Sequence, residues 1–322
     1  MPYNKSIYLK AEHILTKRRN DAEAEAKIRA DEIKLNLPEV DEIQGELSKI
    51  GLEISTLFFY NGNAEEKVLE LRSKSKALVA KRSEILRKNG YDEDAMTPDY
   101  ICPVCCDKGF INNRICQCHR QLLKDLMKEE VRKHAPLDDC KFDNFDTEKY
   151  SDEPDENGII PRQRAEKILD SCRKYAQNFN KNSKNLLLLG MTGLGKTHLS
   201  LAIANVVINR GYSVCYGTSQ NICEDLQNEQ FGRGDDAFYT KRGVLDCDLL
   251  IIDDLGTEVE NQYSIATLYN IINSRILSKK PTVINTNYDF SELLGKYDQR
   301  ITSRLTGEYT VMQILGKDIR NS

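Results

Sequence analysis

The apolar residues of the N-terminal third recur with a helical period. Between Val40 and Leu57 they alternate spacings of three and four, which predicts a helix with one apolar seam. Asn61-Gly62-Asn63 then breaks the helix, and a second seam begins at Val68 and extends to Ile85. The pattern therefore predicts an antiparallel helical hairpin. A run of basic residues on the second helix is typical of a solvated face, or of a contact with protein or DNA.

The segment before this hairpin is polar and charged. Only the piece from Asp21 to Ala30 favours a helix, through its alanine and glutamate content, and Pro38 closes it. Two helices that share one apolar seam are marginally stable alone. We therefore expect the seam to pack against another part of the chain or against a partner.

Short apolar runs in the C-terminal half have the length of buried strands. One run extends from Leu186 to Leu189 and another from Leu249 to Ile252. Runs of this kind are found in central parallel strands that are buried on both faces. The other predicted elements are strands at 213–216 and 281–287 and helices at 161–179 and 198–208. The predicted fold class is α/β, with a parallel sheet flanked by helices.

The order of these patterns predicts a division of the chain into regions. Residues 136–160 are rich in Asp, Glu, Asn and Pro, which is the composition of a linker. The length of 322 residues fits about two domains with separate cores. The predicted regions are a helical hairpin region at 1–98, a cysteine-rich module with a helix at 99–135, the linker at 136–160 and an α/β domain at 161–322.

Composition and charge limit the classes of function. No apolar run approaches the ~20 residues of a membrane span. The N-terminal sequence Met-Pro-Tyr-Asn-Lys lacks the apolar core of a signal peptide, so we expect a cytoplasmic protein with no membrane partner. The net charge of −4 gives no overall attraction to nucleic acid. Any contact with DNA must therefore come from local basic patches.

Five of the ten cysteines lie between residues 102 and 118. In a reducing compartment such crowding favours a metal site over disulfides. The predicted ligands are Cys102, Cys105, Cys116 and Cys118. The first two have the spacing of a zinc knuckle, and four thiolates would close a tetrahedral structural Zn²⁺ site. Cys106 and His119 are alternatives for the fourth ligand.

A glycine-rich sequence follows the strand that ends at Leu189 and precedes a helix. Gly-Met-Thr-Gly-Leu-Gly-Lys-Thr is a complete P-loop, in which backbone N–H groups surround phosphate oxygens. Lys196 would add positive charge at the β and γ phosphates, and Thr197 would offer a hydroxyl to Mg²⁺. The residues predicted to bind ATP here are Gly190, Thr192, Gly193, Leu194, Gly195, Lys196, Thr197 and His198.

Polar side chains follow the later strands at the same edge of the sheet. Open α/β sheets bind ligands at the carboxyl ends of their strands, where Asp253 would hold Mg²⁺ and Asp254 would orient or deprotonate the attacking water. Glu258 is a second candidate for the base, although a helix start also favours glutamate. Asn287 is predicted to contact the γ-phosphate or the water, with a helix cap as the alternative.

Three arginines near the C-terminus are candidates for contacts with phosphate. Arg300 and Arg304 are one helical turn apart, so they either pair with acids on their own helix or reach a nucleotide bound by a neighbouring subunit. Arg320 is the third candidate.

Together these motifs resemble those of the AAA+ ATPases of the DnaC/DnaI helicase-loader group, within the IstB/DnaC ATPases. The resembling segments are the P-loop at 190–197, Leu-Ile-Ile-Asp-Asp-Leu-Gly at 250–256, Asn-Thr-Asn at 285–287 and Ser-Arg-Leu at 303–305. Upstream, Phe-Asp-Asn-Phe at 142–145 and the Cys-Pro-x-Cys sequence at 102–105 resemble the cysteine-bearing bacterial and phage members.

The resemblance implies a homo-oligomeric AAA+ ATPase that needs ATP and Mg²⁺. It also implies a protein that binds a replicative DnaB-type hexameric helicase through its N-terminal region and delivers it onto single-stranded DNA. The roles implied by motif are Walker A for Lys196 and Thr197, Walker B for Asp253 and Asp254, sensor 1 for Asn287, the finger to a neighbour's γ-phosphate for Arg304 with Arg300 as competitor, and sensor 2 for Arg320.

Two other hypotheses are compatible with the same motifs. IstB-type transposition helper ATPases have similar Walker motifs, but they would act on duplex DNA together with a transposase. A zinc-dependent adaptor that holds ATP and scarcely hydrolyses it is the third hypothesis. The reason for this hypothesis is Asp254, which occupies a position where AAA+ proteins more often have a glutamate.

Overall fold

The computed structural model describes residues 5–57, 64–232 and 239–321. The predicted break at Asn61-Gly62-Asn63 lies outside these residues. The chain separates into two compact units, one of Glu12–His119 and one of Met1–Ala11 with Arg120–Ser322. The region boundaries expected at 98, 135 and 160 stay predictions.

Three helices make up most of the first unit. They are α1 (Lys5–Asn36), α2 (Pro38–Leu57) and α3 (Ala64–Lys88). The predicted hairpin is confirmed, because α2 and α3 pack together and their paired side chains show an antiparallel arrangement. Lys67 pairs with Glu53 at 3.6 Å, whereas Arg82 donates to Gln44 at 2.8 Å farther from the connection. Arg82, a polar residue within the apolar seam of α3, thus has a partner on α2.

Helix α1 is longer than the piece from Asp21 to Ala30 that composition favours. It has 32 residues and extends from Lys5 to Asn36. The prediction was too short because part of the buried face is alanine, which gives little apolar signal. The buried residues on this face within the first unit are Leu15, Ala22, Ala26 and Ile33.

A small cysteine-rich module follows the hairpin. Strands β1 (Phe110–Ile111) and β2 (Arg114–Ile115) pair antiparallel and precede α4 (Gln117–Arg132). Asn112 and Asn113 both have positive φ, 48° and 62°, which is the geometry of a tight two-residue hairpin turn. Cys116 N–H donates to the Gly109 carbonyl at 2.9 Å. This turn returns the chain so that the cysteines on either side of it come together.

A five-stranded sheet organises the second unit. The elements after α4 are α5 (Pro161–Gln177), β3 (Asn185–Leu189), α6 (Lys196–Asn209), β4 (Val214–Thr218), α7 (Ser219–Gln230), α8 (Lys241–Asp246), β5 (Leu249–Asp253), α9 (Gln262–Leu277), β6 (Thr282–Thr286), α10 (Phe290–Lys296), α11 (Gln299–Glu308) and β7 (Tyr309–Gln313). All strand pairs are parallel, in the order β4-β5-β6-β3-β7. The predicted fold class is confirmed.

The burial of the strands agrees with their places in the sheet. All five residues of β5 and of β6 are buried, as expected for strands covered by helices on both faces. Parallel strands end at the same edge of a sheet, so Asp253, Asn285 and the P-loop after Leu189 are brought together. No helix in the described ranges is long and apolar enough to span a membrane.

Candidate functional site

The P-loop turns between β3 and α6 in the order that the sequence predicts. Gly190, Gly193 and Gly195 have positive φ of 153°, 80° and 73°. At Gly193 a side chain would be strained by the positive φ and would displace the carboxylate of Asp318, which lies 2.0 Å from the ideal Cβ position. Gly195 is the N-cap of α6. The amide groups that begin α6 therefore face the loop, which suits a bound phosphate.

Lys196 is a buried lysine whose ammonium group is held by the loop. Its Nζ donates to the carbonyl oxygens of Gly190 and Met191 at 2.7 and 2.8 Å, and to Asn287 Oδ1 at 2.6 Å. Burial lowers the pKa of Lys196, and the charges of Asp254 and Asp253 partly oppose that shift. The ammonium group thus lies between the loop and the end of β6.

Asp253 ends β5 with a fully engaged carboxylate. Oδ1 accepts from Thr197 at 3.2 Å and from Asn285 at 2.6 Å, and Oδ2 accepts from Tyr216 at 2.6 Å. A hydroxyl and a carboxylate at this spacing match the oxygen donors that Mg²⁺ prefers. Thr197 and Asp253 could therefore hold a magnesium ion beside the P-loop.

Two of these partners were not predicted as site residues. Tyr216 comes from β4 and Asn285 from β6, the two strands that flank β5. The signal that could have found them is parallel register, since Tyr216 pairs with Ile251 and Ile252 with Ile284, close to Asp253.

Asp254 follows Asp253 in a left-handed conformation with φ of 51°. Non-glycine residues in this region are strained and often functional. Burial raises the pKa of Asp254, and the charge of Asp253 adds to the shift. Asn287 Nδ2 donates to Asp254 Oδ1 at 3.3 Å. Asn287 therefore connects the side chains of Lys196 and Asp254 through one hydrogen bond to each.

Glu258 lies in the loop after β5 and is buried. One carboxylate oxygen accepts from the Gly256 N–H at 3.0 Å, and the other accepts a short hydrogen bond from the Tyr297 hydroxyl. Both oxygens are thus used to join this loop to the end of α10. These contacts give Glu258 a structural use, and its role as a base stays a prediction.

Residues of the predicted linker cover the first turn of α6. Tyr150 donates its hydroxyl proton to the Leu194 carbonyl at 2.9 Å, and the ring of Phe145 packs against Gly195. His198 contacts that ring edge-on at 5.4 Å and the Lys141 carbonyl at 2.8 Å. Thr192 lies exposed in the loop.

The three candidate arginines are placed differently. Burial is the largest cause of the pKa shifts of Lys196 and Asp254, and the charges of neighbouring carboxylates come next. The charge of Arg320 is a smaller cause that lowers both pKa values. Arg304 instead contacts Asn273 and Tyr269 of α9. The segment that carries Arg320 lies against the phosphate loop, because the Ile319 N–H donates to the Gly193 carbonyl at 3.2 Å, whereas Arg304 belongs to another group of contacts.

The four predicted metal ligands converge in the first unit. The sulfur atoms of Cys102, Cys105, Cys116 and Cys118 all lie within 4.8 Å of one another. Sulfurs bound tetrahedrally at ~2.3 Å from zinc lie about 3.8 Å apart. The distances of 3.8 Å from Cys102 to Cys116 and 3.4 Å from Cys105 to Cys118 fit that arrangement. The cluster could therefore hold a zinc ion.

The two alternative fourth ligands point elsewhere. His119 Nδ1 contacts the Gly109 carbonyl at 3.3 Å, and its ring packs edge-on against Phe110. Cys106 Sγ lies 3.8 Å from the Pro103 carbonyl. The structure thus groups Cys118, rather than either alternative, with the other three cysteines.

We expect Tyr216→Phe to reduce ATP turnover roughly tenfold, because Asp253 loses a buried donor. The magnesium concentration that gives half-maximal turnover should rise for the same reason. Burial and the Asp253 charge raise the pKa of Tyr216, so its hydroxyl keeps its proton and donates. Phosphate release against magnesium concentration measures the effect. Tyr239→Phe is the control, since that hydroxyl donates to the Tyr216 carbonyl. An unchanged magnesium requirement in Tyr216→Phe would contradict this role.

Comparison with known proteins agrees with the resemblance. A family model described as IstB-like ATP binding protein matches residues 161–321. The replicative helicase loader DnaC of Buchnera aphidicola subsp. Baizongia pistaciae is 30% identical over 154 residues, 47% of this chain and 61% of that protein. DnaC of Escherichia coli K12 is 29% identical over 137 residues, 42% of this chain and 56% of that protein. The matches thus span less than two thirds of these relatives.

Solved structures give similar matches. The crystal structure of the DnaC helicase loader has a TM-score of 0.46 and 22% identity, covering 56% of this chain and 98% of that chain. The crystal structure of DnaI has a TM-score of 0.41 and 21% identity, covering 60% of this chain and 93% of that chain. The family model matches half of this chain, from the start of α5 through the P-loop and the final strand. The protein therefore belongs to the IstB-like ATP-binding family.

Proposed function

We propose that the protein is an ATP-dependent loader that delivers a replicative DnaB-type hexameric helicase onto single-stranded DNA in the cytoplasm. The observation that carries the proposal is the direct connection of Lys196, Asp254 and Asn287 at a P-loop. That connection supports ATP hydrolysis, and the likeness of the same half of the chain to replicative helicase loaders supports the client.

The proposed hydrolysis uses the side chains at the ends of three neighbouring strands. Lys196 exchanges its contacts with the loop carbonyls for oxygens of the β and γ phosphates. Asp254 accepts a proton from the attacking water, and Asn287 holds that water or the γ-phosphate in line. Because Asp254 is one methylene shorter than glutamate, we expect slow turnover.

Thr197 and Asp253 are the residues that would hold the magnesium ion. When bound there, Mg²⁺ would neutralise part of the phosphate charge. Tyr216 and Asn285 fix the Asp253 carboxylate by two hydrogen bonds, so the ligand is oriented before nucleotide arrives.

We propose further that the protein assembles with copies of itself through the ATP site. Arg304 would then reach the γ-phosphate bound by a neighbour, so that ATP keeps the assembly on single-stranded DNA and hydrolysis loosens it. The N-terminal unit, with its hairpin and cysteine cluster, would bind the helicase. The exposed basic residues of α3, among them Arg72, Lys74 and Lys76, offer a charged face for such a contact.

Transposition is the second candidate function, favoured by the family name that the matching model carries. An IstB-type helper would bind duplex DNA and a transposase. The likeness to curated helicase loaders is the reason for ranking the loader first.

The test is binding of the purified full-length chain to a purified DnaB-type helicase and, separately, to an IS21-type transposase. With ATP and zinc present, the proposal expects a complex with the helicase on size-exclusion chromatography. A complex with the transposase alone would favour the second candidate, and turnover of ATP without either complex would leave only the ATPase part of the proposal.

A further inference from the structure

Arg304 on α11 is held by groups that carry no charge. Its Nε donates to Asn273 Oδ1 at 2.7 Å, one terminal nitrogen donates to the Tyr269 hydroxyl at 3.1 Å, and the other donates to the Arg300 carbonyl at 2.9 Å. The guanidinium also lies 4.8 Å from the centre of the Tyr269 ring. Every nitrogen is therefore oriented by a neutral acceptor.

Arg300, one turn earlier, has a different electrostatic partner. Its Nε and one terminal nitrogen donate to Asp298 Oδ2 at 2.9 and 2.6 Å, which is a close ion pair. Its guanidinium also packs on Tyr269, at 5.1 Å from the ring centre. The two arginines thus share one aromatic ring, but only Arg300 is neutralised by a carboxylate.

This difference bears on which arginine can act on another phosphate. Among the described residues, no carboxylate lies within ion-pair distance of Arg304, so its positive charge is not cancelled by its own chain. Neutral acceptors fix the direction of a guanidinium without cancelling its charge, whereas a carboxylate does both. Arg304 is also only half-buried, which leaves it open to a second molecule.

We propose that Tyr269 and Asn273 are positioning residues that orient the guanidinium of Arg304, without a neutralising carboxylate, toward the terminal phosphate of ATP bound by a second copy of this chain. Both come from α9, and α9 packs against α11, so a single helix sets the direction of the arginine. The inference rests on the proposed function, because it needs ATP at a subunit interface. It adds two residues that the motifs do not mark.

The test compares ATP turnover of full-length variants in the presence of single-stranded DNA. We expect Arg304→Ala to lower turnover roughly 10³-fold, the scale of arginines that act between subunits. Asn273→Ala and Tyr269→Phe should each lower it about 3- to 10-fold, the effect of one lost hydrogen bond. Arg300→Ala should change it less than about 2-fold, since that charge is already paired.

Asn273→Asp separates positioning from packing. The carboxylate keeps the hydrogen bond to Arg304 but neutralises the guanidinium, so turnover should fall about as far as in Asn273→Ala while the melting temperature is kept or raised. A residue that serves stability alone would instead leave Asn273→Asp as active as the unchanged chain. Tyr269→Phe keeps its ring and packing, so it remains informative if Asn273→Ala fails to fold.

Mixing two variants shows whether the defect of Asn273→Ala lies in the subunit that supplies Arg304 or in the subunit that binds ATP. An Asn273→Ala subunit keeps an intact P-loop, and a Lys196→Ala subunit keeps an intact Arg304. Turnover per functional P-loop should therefore rise about 3- to 10-fold, the size of one restored hydrogen bond, when the weakened Asn273→Ala preparation is mixed with an excess of the nearly inactive Lys196→Ala preparation. No rise on mixing would overturn the inference.

The outcomes distinguish this inference from the proposed function. If Arg304→Ala itself turns over ATP normally, the proposed interface is wrong. If Arg304→Ala fails but Asn273→Ala and Tyr269→Phe do not, the interface stands and the positioning role is rejected. If Arg304→Ala loses binding of single-stranded DNA but not turnover, Arg304 contacts nucleic acid and the inference is also rejected.

Discussion

Lys196→Ala is expected to lower ATP turnover by about 10²–10³-fold, the scale seen when one donor is removed from a preorganised charged site. Lys196 contacts both the P-loop, at the carbonyls of Gly190 and Met191, and the end of β6, at Asn287. Its loss removes the positive charge from the β and γ phosphates and also leaves Asn287 Oδ1 without the donor that now orients it. Nucleotide affinity should fall together with phosphate release.

The control is Lys184→Ala, an exposed lysine just before β3. That variant should bind a fluorescent ATP analogue and release phosphate like the unchanged chain. Since the carboxylates of Asp254 and Asp253 remain in Lys196→Ala, the empty site gains net negative charge, which further opposes ATP. Turnover of Lys196→Ala within a factor of about two of the control would reject this site, given the scale expected for such a donor.

Cys105→Ser is expected to abolish zinc binding and to unfold the cysteine-rich module around β1 and β2. Structural zinc sites contribute ~10–16 kcal/mol of apparent folding free energy in small modules. Besides the cluster, the described part of this module has two strands of two residues each, a turn and the hydrogen bonds that Asp107 accepts from the Ile101 and Cys102 N–H groups. The metal content of the purified protein and resistance of residues 99–119 to proteolysis measure the effect.

The pH dependence of zinc binding follows from the thiols. The backbone N–H of Cys105 lowers the pKa of Cys102 to about 7, whereas burial raises the pKa of Cys118. Zinc binds thiolates, so affinity should weaken as the pH falls and more protons must be displaced. Cys106→Ser is the matched control, because that sulfur lies outside the cluster. Zinc retained at full stoichiometry in Cys105→Ser would contradict the site.

The elements with strong periodicity could be predicted from the sequence. The seams of α2 and α3 come from large aliphatic residues, and Val40, Ile43 and Ile50 are indeed buried. Helix α1 was underestimated, because alanine buries well on a packed face without standing out from its polar neighbours. Strand β7 was missed, because it is an edge strand in which only Tyr309 is buried, so it lacks the continuous apolar run of the central strands.

The residues of the site also divide into those that the sequence predicts and those that it does not. Motifs with fixed spacing predicted the P-loop, the carboxylates after β5 and the four cysteines, since those spacings follow from local chain geometry. Tyr216, Asn285 and Tyr269 were not predicted as functional residues, because their use depends on which strands and helices lie side by side. Parallel register places Tyr216 and Asn285 on Asp253, and packing of α9 on α11 places Tyr269 on Arg304.

The measurement that tests the central claim most directly is loading of a purified DnaB-type hexamer onto circular single-stranded DNA by the full-length chain. Helicase that remains on the circle after gel filtration is counted with ATP, without ATP and with Lys196→Ala. The account predicts retention that requires the unchanged chain and ATP. Equal retention with Lys196→Ala, or none under any condition, would contradict an ATP-dependent helicase loader.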